Sequence, residues 1–310
     1  MDKFEENKVF NSVFKIISNR KIPSLTIPYQ DESHGKSIGA GFFINNKGLA
    51  LTASHVVENN IELWIILPEY GQMIFTAEII SVYPDFDIAL IEVNIKNKFF
   101  LKLSSSDNLK LRTTVYTIGY PSNPKYPIAT SGTISGVRDD YLQTDTPVNS
   151  GNSGGPLLNE DNEVIGITSA VLSETENSSL IIPINIYKRI STIMLQHKII
   201  YKNVLGIVFS KNTDNYLNFF VTNEFQNLTG VIITKILNNS PLFKKIEVDD
   251  LLCSITHNNN TYDIDNYGEI TVNWVIGKIT IDKLIKRFLN NEEITVHFYS
   301  HKEEKMKKEI

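Results

Sequence analysis

Ser153 lies in the run Gly151-Asn152-Ser153-Gly154-Gly155-Pro156-Leu157, a short way beyond Gln143-Thr144-Asp145. A hydroxyl that attacks an amide carbonyl needs backbone room for its substrate. It also needs N–H groups aimed at the oxyanion that develops. Glycines on both sides of Ser153 permit a tight turn that aims the N–H groups of Gly151 and Ser153 into one pocket, with Asn152 between them in the same oxyanion-hole segment. The plain alternative is a Gly-rich hairpin turn that happens to carry a serine.

Serine is a weak nucleophile unless a base poised near neutrality takes its proton and a third group orients that base. The chain has six histidines. His34 falls in a polar loop, and His197, His257, His297 and His301 belong to later parts of the chain. His55, in Leu51-Thr52-Ala53-Ser54-His55-Val56-Val57, follows directly on a strand-like run, so it is the candidate base. Asp87 opens Asp87-Ile88-Ala89-Leu90-Ile91, which puts a carboxylate at the mouth of an apolar strand where it would accept the imidazole N–H. Its rival Asp85 follows Pro84 and reads as a solvated turn residue. Asp145 reads as structural support for the serine loop.

The order His, Asp, Ser along the chain is that of the chymotrypsin two-barrel arrangement; subtilisin and α/β-hydrolase enzymes use other orders. No His-Glu-x-x-His string is present, which argues against a zinc protease, and no metal or cofactor is expected.

The elements that must position these residues read as short strands. From 36 to about 190, β-branched and apolar runs alternate with Gly, Asn, Asp, Ser and Pro, a pattern of sandwiches and barrels. The expected fold is all-β. It has two small barrels over 36–190 with a seam near Ser104–Asn108, so that His55 and Asp87 on one barrel face Ser153 on the other. Val9, Phe10, Val13, Phe14 and Ile17 recur at helical spacing, which predicts an amphipathic helix and lead-in over 1–35. A linker is expected over 191–202, a second α+β unit over 203–300, and a frayed charged tail over 301–310.

Composition bounds the rest. Hydrophobic residues at 42% and charged residues at 21% exclude a mostly disordered chain. A net charge of −5 gives no general pull toward nucleic acid or an anionic membrane, so neither is expected as a partner. Cys253 is the only cysteine, so no intramolecular disulfide forms, and a reducing compartment is expected. The first residues carry no continuous apolar segment of the signal-peptide kind. Together these predict an intracellular protein, cytoplasmic or nuclear.

The strings as a set resemble the HtrA/Deg serine proteases. Ala40-Gly41-Phe42-Phe43-Ile44 resembles that family's first-barrel opening, and the segments around His55 and Asp87 its histidine and aspartate segments. Thr117-Ile118-Gly119-Tyr120-Pro121 resembles its entry to barrel two, and Gln143 to Leu157 its nucleophile loop. The resemblance implies an ATP-independent serine endopeptidase acting on unfolded or extended polypeptides. It implies a substrate-binding strand at Ser179, Leu180, Ile181 and Ile182 that pairs with substrate backbone and walls the S1 pocket. It also implies a PDZ-like domain whose loop Val204, Leu205, Gly206 and Ile207 captures peptide C-termini or internal segments, and assembly into homotrimers or multiples of them, with a Phe10/Phe14 helix as one candidate surface. Pro28-Tyr29-Gln30 and Asp265-Asn266-Tyr267-Gly268-Glu269 resemble the non-secreted Deg branch of plants and fungi. No acid is placed to sit at the base of an S1 pocket, so small or medium aliphatic P1 residues are expected. The alternative is a catalytically quiet peptide-binding or chaperone-like module on a protease scaffold.

Overall fold

The computed structural model describes residues 3–22, 33–107, 109–138, 140–169, 179–213, 227–274, 277–289 and 292–310. Pro28-Tyr29-Gln30 lies outside them. The chain divides into two compact units, Met1–Tyr201 and Lys202–Ile310.

The first unit begins with helix α1 (Lys3–Ser12) and strand β1 (Val13–Ile22), followed by β2 (Ser33–Phe43), β3 (Leu49–Ala53), the short helix α2 (Ser54–Val57), β4 (Asn60–Ile66), β5 (Ile74–Tyr83) and β6 (Ile88–Val93). These strands close a barrel in the order β1-β2-β3-β6-β5-β4. Its interior is filled by Phe14, Ile16, Phe43, Leu63, Ile65, Ile91 and Val93, among others. Burying one such side chain stabilises the fold by about 1.5–3 kcal/mol.

The helix expected over the N-terminal apolar residues therefore stops at Ser12, and the barrel domain starts well before residue 36. Val13 to Ser18 is rich in β-branched residues. Pairing with β2 on one side and β4 on the other gives these residues hydrogen bonds that a lone helix would not match. Phe14 is wholly buried in the barrel, so Phe10 and Phe14 do not form one helical face for assembly.

A second closed barrel follows, built from β7 (Thr114–Gly119), β8 (Ile128–Arg138), β9 (Tyr141–Thr144), β10 (Pro156–Leu158), β11 (Val164–Ser169) and β12 (Ser179–Pro183). Its strand order is β10-β11-β12-β9-β8-β7, around Val115, Ile134, Leu142, Leu157, Ile165 and Ile181. The segment between the barrels bonds to both. Leu101 N–H bonds Phe43 O of the first barrel, and Ser104 N–H bonds Val164 O of the second, each at 2.9 Å. Helix α3 (Ile184–Met194) buries Ile184, Ile186, Tyr187, Ile190 and Met194. Beyond it the chain is tied back to the edge of β5. Val82 N–H donates to Lys198 O and Ile200 N–H to Val82 O, both at 2.9 Å.

The second unit carries β13 (Ile207–Lys211), β14 (Val231–Ile236), β15 (Leu251–His257), β16 (Asn260–Asp263), β17 (Glu269–Thr271), β18 (Lys278–Thr280), α4 (Ile281–Lys286), β19 (Thr295–Ser300) and β20 (Lys305–Glu309). Its main sheet runs β13-β14-β15-β19-β20, with β16 added to β15. This sheet-and-helix unit is consistent with a PDZ-like domain. The tail expected to fray is strand β20, antiparallel to β19 from Val296↔Glu309 to Ser300↔Lys305. Charged residues suit a solvent-facing edge strand, and β19 supplies the backbone partners.

Candidate active site

The register of the first barrel brings its two candidate residues together. β3 and β6 pair antiparallel with Ala53 opposite Ile88. One step beyond that pair, Ser54 and Asp87 stand across from each other, and Ser54 N–H donates to Asp87 O at 3.1 Å. A single 3-10 turn, Pro84–Phe86, ends at Asp87 in the left-handed region (φ 56°, ψ 41°), a conformation that Asp tolerates better than most residues.

Asp87 is the hub of the site. Its Oδ2 accepts from the His55 imidazole Nδ1 at 2.7 Å, and its Oδ1 accepts from the His55 backbone N–H at 2.9 Å. The hydroxyls of Ser54 and Ser169 donate to Oδ1 at 2.9 Å and to Oδ2 at 2.7 Å. Burial pushes the Asp87 carboxyl up, but the hydrogen bonds and charge of His55 and the Ser169 hydroxyl outweigh it and hold the group below the ordinary value of 3.8. A proton on Nδ1 leaves Nε2 as the acceptor in the neutral ring. At the other end of α2, the Arg20 guanidinium donates to the carbonyls of His55 and Val56, the latter at 3.0 Å.

The serine loop is held just as closely. Ser153 is 4% exposed, and its carbonyl accepts from Ala40 N–H of β2 at 2.8 Å. Gly151 and Gly154 have φ of 99° and 84°, so both positions demand glycine. The same two residues lie against backbone from elsewhere in the unit. A Cβ on Gly151 would fall 2.1 Å from Tyr120 O, and one on Gly154 would fall 2.3 Å from Ala40 O and 2.8 Å from Ala53 N. Gly39 shows how near the two halves of the site come. A side chain there would meet both Val56, at 2.6 Å, and Ser153 O, at 3.0 Å. The loop of Ser153 therefore abuts the strand end that leads into His55, with Gly39 between it and Val56 of the helix. A cavity of about 730 Å³ opens on His55 and Asp87, with Val57, Val82 and Pro84 as apolar wall and Glu58, Asp85 and Lys198 as charged groups.

Two expectations need correction. The N–H of Asn152 is engaged by Asn149 O at 2.9 Å, inside the turn, which removes it as an oxyanion donor. Leu180 and Ile181 of β12 pair with β11 on one side and β9 on the other, Ser179 pairs with Thr144 of β9, and Ile182 pairs with Ile167 of β11. With both sides of their backbone taken, Leu180 and Ile181 have no free edge for a substrate strand. Ser169, Ser54 and Arg20 were not legible as site residues. Ser54 stood next to His55 in the sequence, but nothing there marked its hydroxyl for Asp87.

Residues 39–167 match the model of the trypsin-like peptidase domain. A Chlamydia muridarum protein named "Probable periplasmic serine endoprotease DegP-like" is 30% identical over 260 residues, covering 78% of this chain and 50% of the relative. One of the same name from Pseudomonas putida (strain GB-1) is 29% identical over 236 residues, 72% of this chain and 48% of the relative. The solved HtrA-type protease AlgW superposes with a TM-score of 0.73 at 16% identity, covering 97% of this chain and 94% of that one. The chain carries a trypsin-like peptidase domain and is similar over most of its length to HtrA/Deg serine proteases. It spans about half the length of the curated relatives it matches.

The family relationship overturns one expectation. These HtrA/Deg relatives are named periplasmic, which points to an extracytoplasmic location rather than the cytoplasm or nucleus, and the non-secreted branch falls with it. A lone cysteine was a poor guide to compartment. Oxidising surroundings permit disulfides but do not require them of a domain whose two barrels each close around an apolar core.

Proposed function

We propose that this chain is an ATP-independent serine endopeptidase that hydrolyses peptide bonds in unfolded or extended polypeptides. Ser153 Oγ attacks the scissile carbonyl. His55 Nε2 takes the proton and returns it to the leaving amine, while Asp87 holds the productive tautomer and stabilises the imidazolium. Gly151 and Ser153 N–H groups receive the oxyanion, each such donor contributing about 3–4 kcal/mol to the transition state. The observation that carries this reading is the 2.7 Å bond from His55 Nδ1 to Asp87 Oδ2, made just beyond the end of β3, where Thr52 and Ala53 lie against Gly154 of the serine loop.

Polypeptide as the ligand class is supported by the AlgW neighbours, whose structures are described as complexes with a decapeptide and a tripeptide. In the second unit, β13 is the end strand of its sheet among the described residues; it opens at Ile207, directly after Val204-Leu205-Gly206, where Gly206 has φ 66°. Ser240 Oγ bonds Leu205 O at 2.5 Å and Leu237 N–H bonds Gly206 O at 2.9 Å, bracing that loop from behind. An end strand next to a braced glycine turn suits a peptide that adds as a further strand.

The test is labelling by a fluorophosphonate together with casein degradation, for wild type and Ser153→Ala. Both signals vanish in the variant if the reading is right. A variant that still labels, or still degrades casein at the wild-type rate, overturns it.

A further inference from the structure

Four donors converge on the Asp87 carboxylate. Three have evident duties: the imidazole is the base, the His55 N–H belongs to the first turn of α2, and Ser169 ties the second barrel to the first. The fourth is the Ser54 hydroxyl, which donates to Oδ1 at 2.9 Å. A serine at the start of a helix ordinarily turns its hydroxyl onto a backbone N–H. Here Ala53 occupies the cap and makes no side-chain cap bond, while Ser54, 9% exposed, spends its hydroxyl on the acid instead. Shielded from water, such a bond to an ionised group is among the stronger ones.

We propose that Ser54 is a positioning residue of the peptidase reaction, acting through Asp87: its hydroxyl holds Oδ1 so that Oδ2 stays in line with His55 Nδ1, and it draws carboxylate charge away from the imidazole. The inference rests on the triad reading given above. The other ionisable groups around the pair are Arg20 of β1 on the carbonyl of His55, Glu58 beyond α2, Asp85 of the 3-10 turn, Tyr141 of β9 and Lys198 after α3. None is altered by removing a hydroxyl at 54, so a change in the pH profile reports on Oδ1.

The sign follows from charge. With one donor gone, more negative charge remains on Asp87 and favours the protonated ring. The acid limb of the rate profile, where the base is lost to protonation, then moves to higher pH. The experiment measures fluorophosphonate labelling and casein degradation from about pH 5 to about pH 9, the range in which histidine titrates. It compares wild type, Ser54→Ala, Ser54→Gly and Ser54→Thr, with Ser153→Ala as the blank. Ser54→Ala and Ser54→Gly should each raise the acid-limb midpoint by about half a pH unit, and Ser54→Thr, which keeps a hydroxyl, should restore it. An unchanged midpoint in Ser54→Ala, even with a uniformly lower rate, overturns the proposal and leaves Ser54 a packing residue. A Ser153→Ala blank that labels like the wild type instead removes the triad reading itself, whatever the Ser54 variants do.

Discussion

Asp87 binds His55 twice, through the imidazole Nδ1 on Oδ2 at 2.7 Å and through the backbone N–H on Oδ1 at 2.9 Å. One carboxylate therefore fixes both where the helix of His55, the proposed base, begins and which way its ring points. The first N–H groups of a helix lack intrahelical partners, and a negative charge beside them is favourable. In this protein the groups that satisfy the start of α2 come from the chemistry of the site. The orientation of the base and the stability of its support are thus one feature.

Ser169 extends that feature across the two barrels. Its hydroxyl reaches Oδ2 from β11, so the second barrel helps hold the acid of the first. Ser169→Ala is expected to lower stability by about 1.5–3 kcal/mol, the usual worth of a hydrogen bond to a charged group. It should also reduce kcat/KM on the order of tenfold as Oδ2 loses its second anchor. Urea unfolding and casein kinetics on the purified variant measure the two effects. A stability and rate equal to the wild type would mean the bond contributes nothing.

Asp87 also predicts an acid response. Its carboxyl is held below 3.8 in the folded protein, so the folded state binds this proton less readily than the unfolded chain does. Its stabilising contribution is complete above the ordinary carboxylate value and is lost as pH falls through the depressed one. Denaturant midpoints measured from about pH 6 to about pH 3 should fall for the wild type. In Asp87→Asn, which lacks the titrating group, the fall should be shallower. Parallel curves would show that other groups carry the acid sensitivity.

Gly154 offers a geometric test. Its φ is 84°, and any Cβ would meet Thr52 Oγ1, Ala40 O and Ala53 N, two of them backbone atoms that cannot swing aside. Gly154→Ala should cost on the order of 2–4 kcal/mol through strain and collision. Since Ser153 precedes it, fluorophosphonate labelling should fall more steeply than the melting temperature implies. A variant that melts and labels like the wild type would show that the loop can move freely there.

The sequence by itself determined the chemistry on offer and its local setting. Glycines flanking Ser153, a histidine at the end of β3 and an aspartate at the mouth of β6 are local signals, because turn geometry and strand ends are dictated by neighbouring residues. The paired apolar runs likewise announced two barrels. What the tertiary structure decided depended on partners far along the chain. Val13 to Ile22 became a strand because β2 and β4 were there to flank it, and the charged residues at the end became β20 because β19 offered an edge. Ser179 to Ile182 resembled a strand that pairs with substrate, yet Leu180 and Ile181 have β11 on one side and β9 on the other. The Ser169 hydroxyl finds Asp87 across 82 positions of sequence, a distance at which no local propensity can speak. Spacing along a chain records which groups are near in sequence. Only barrel closure, driven by apolar burial and backbone pairing, sets which ones meet.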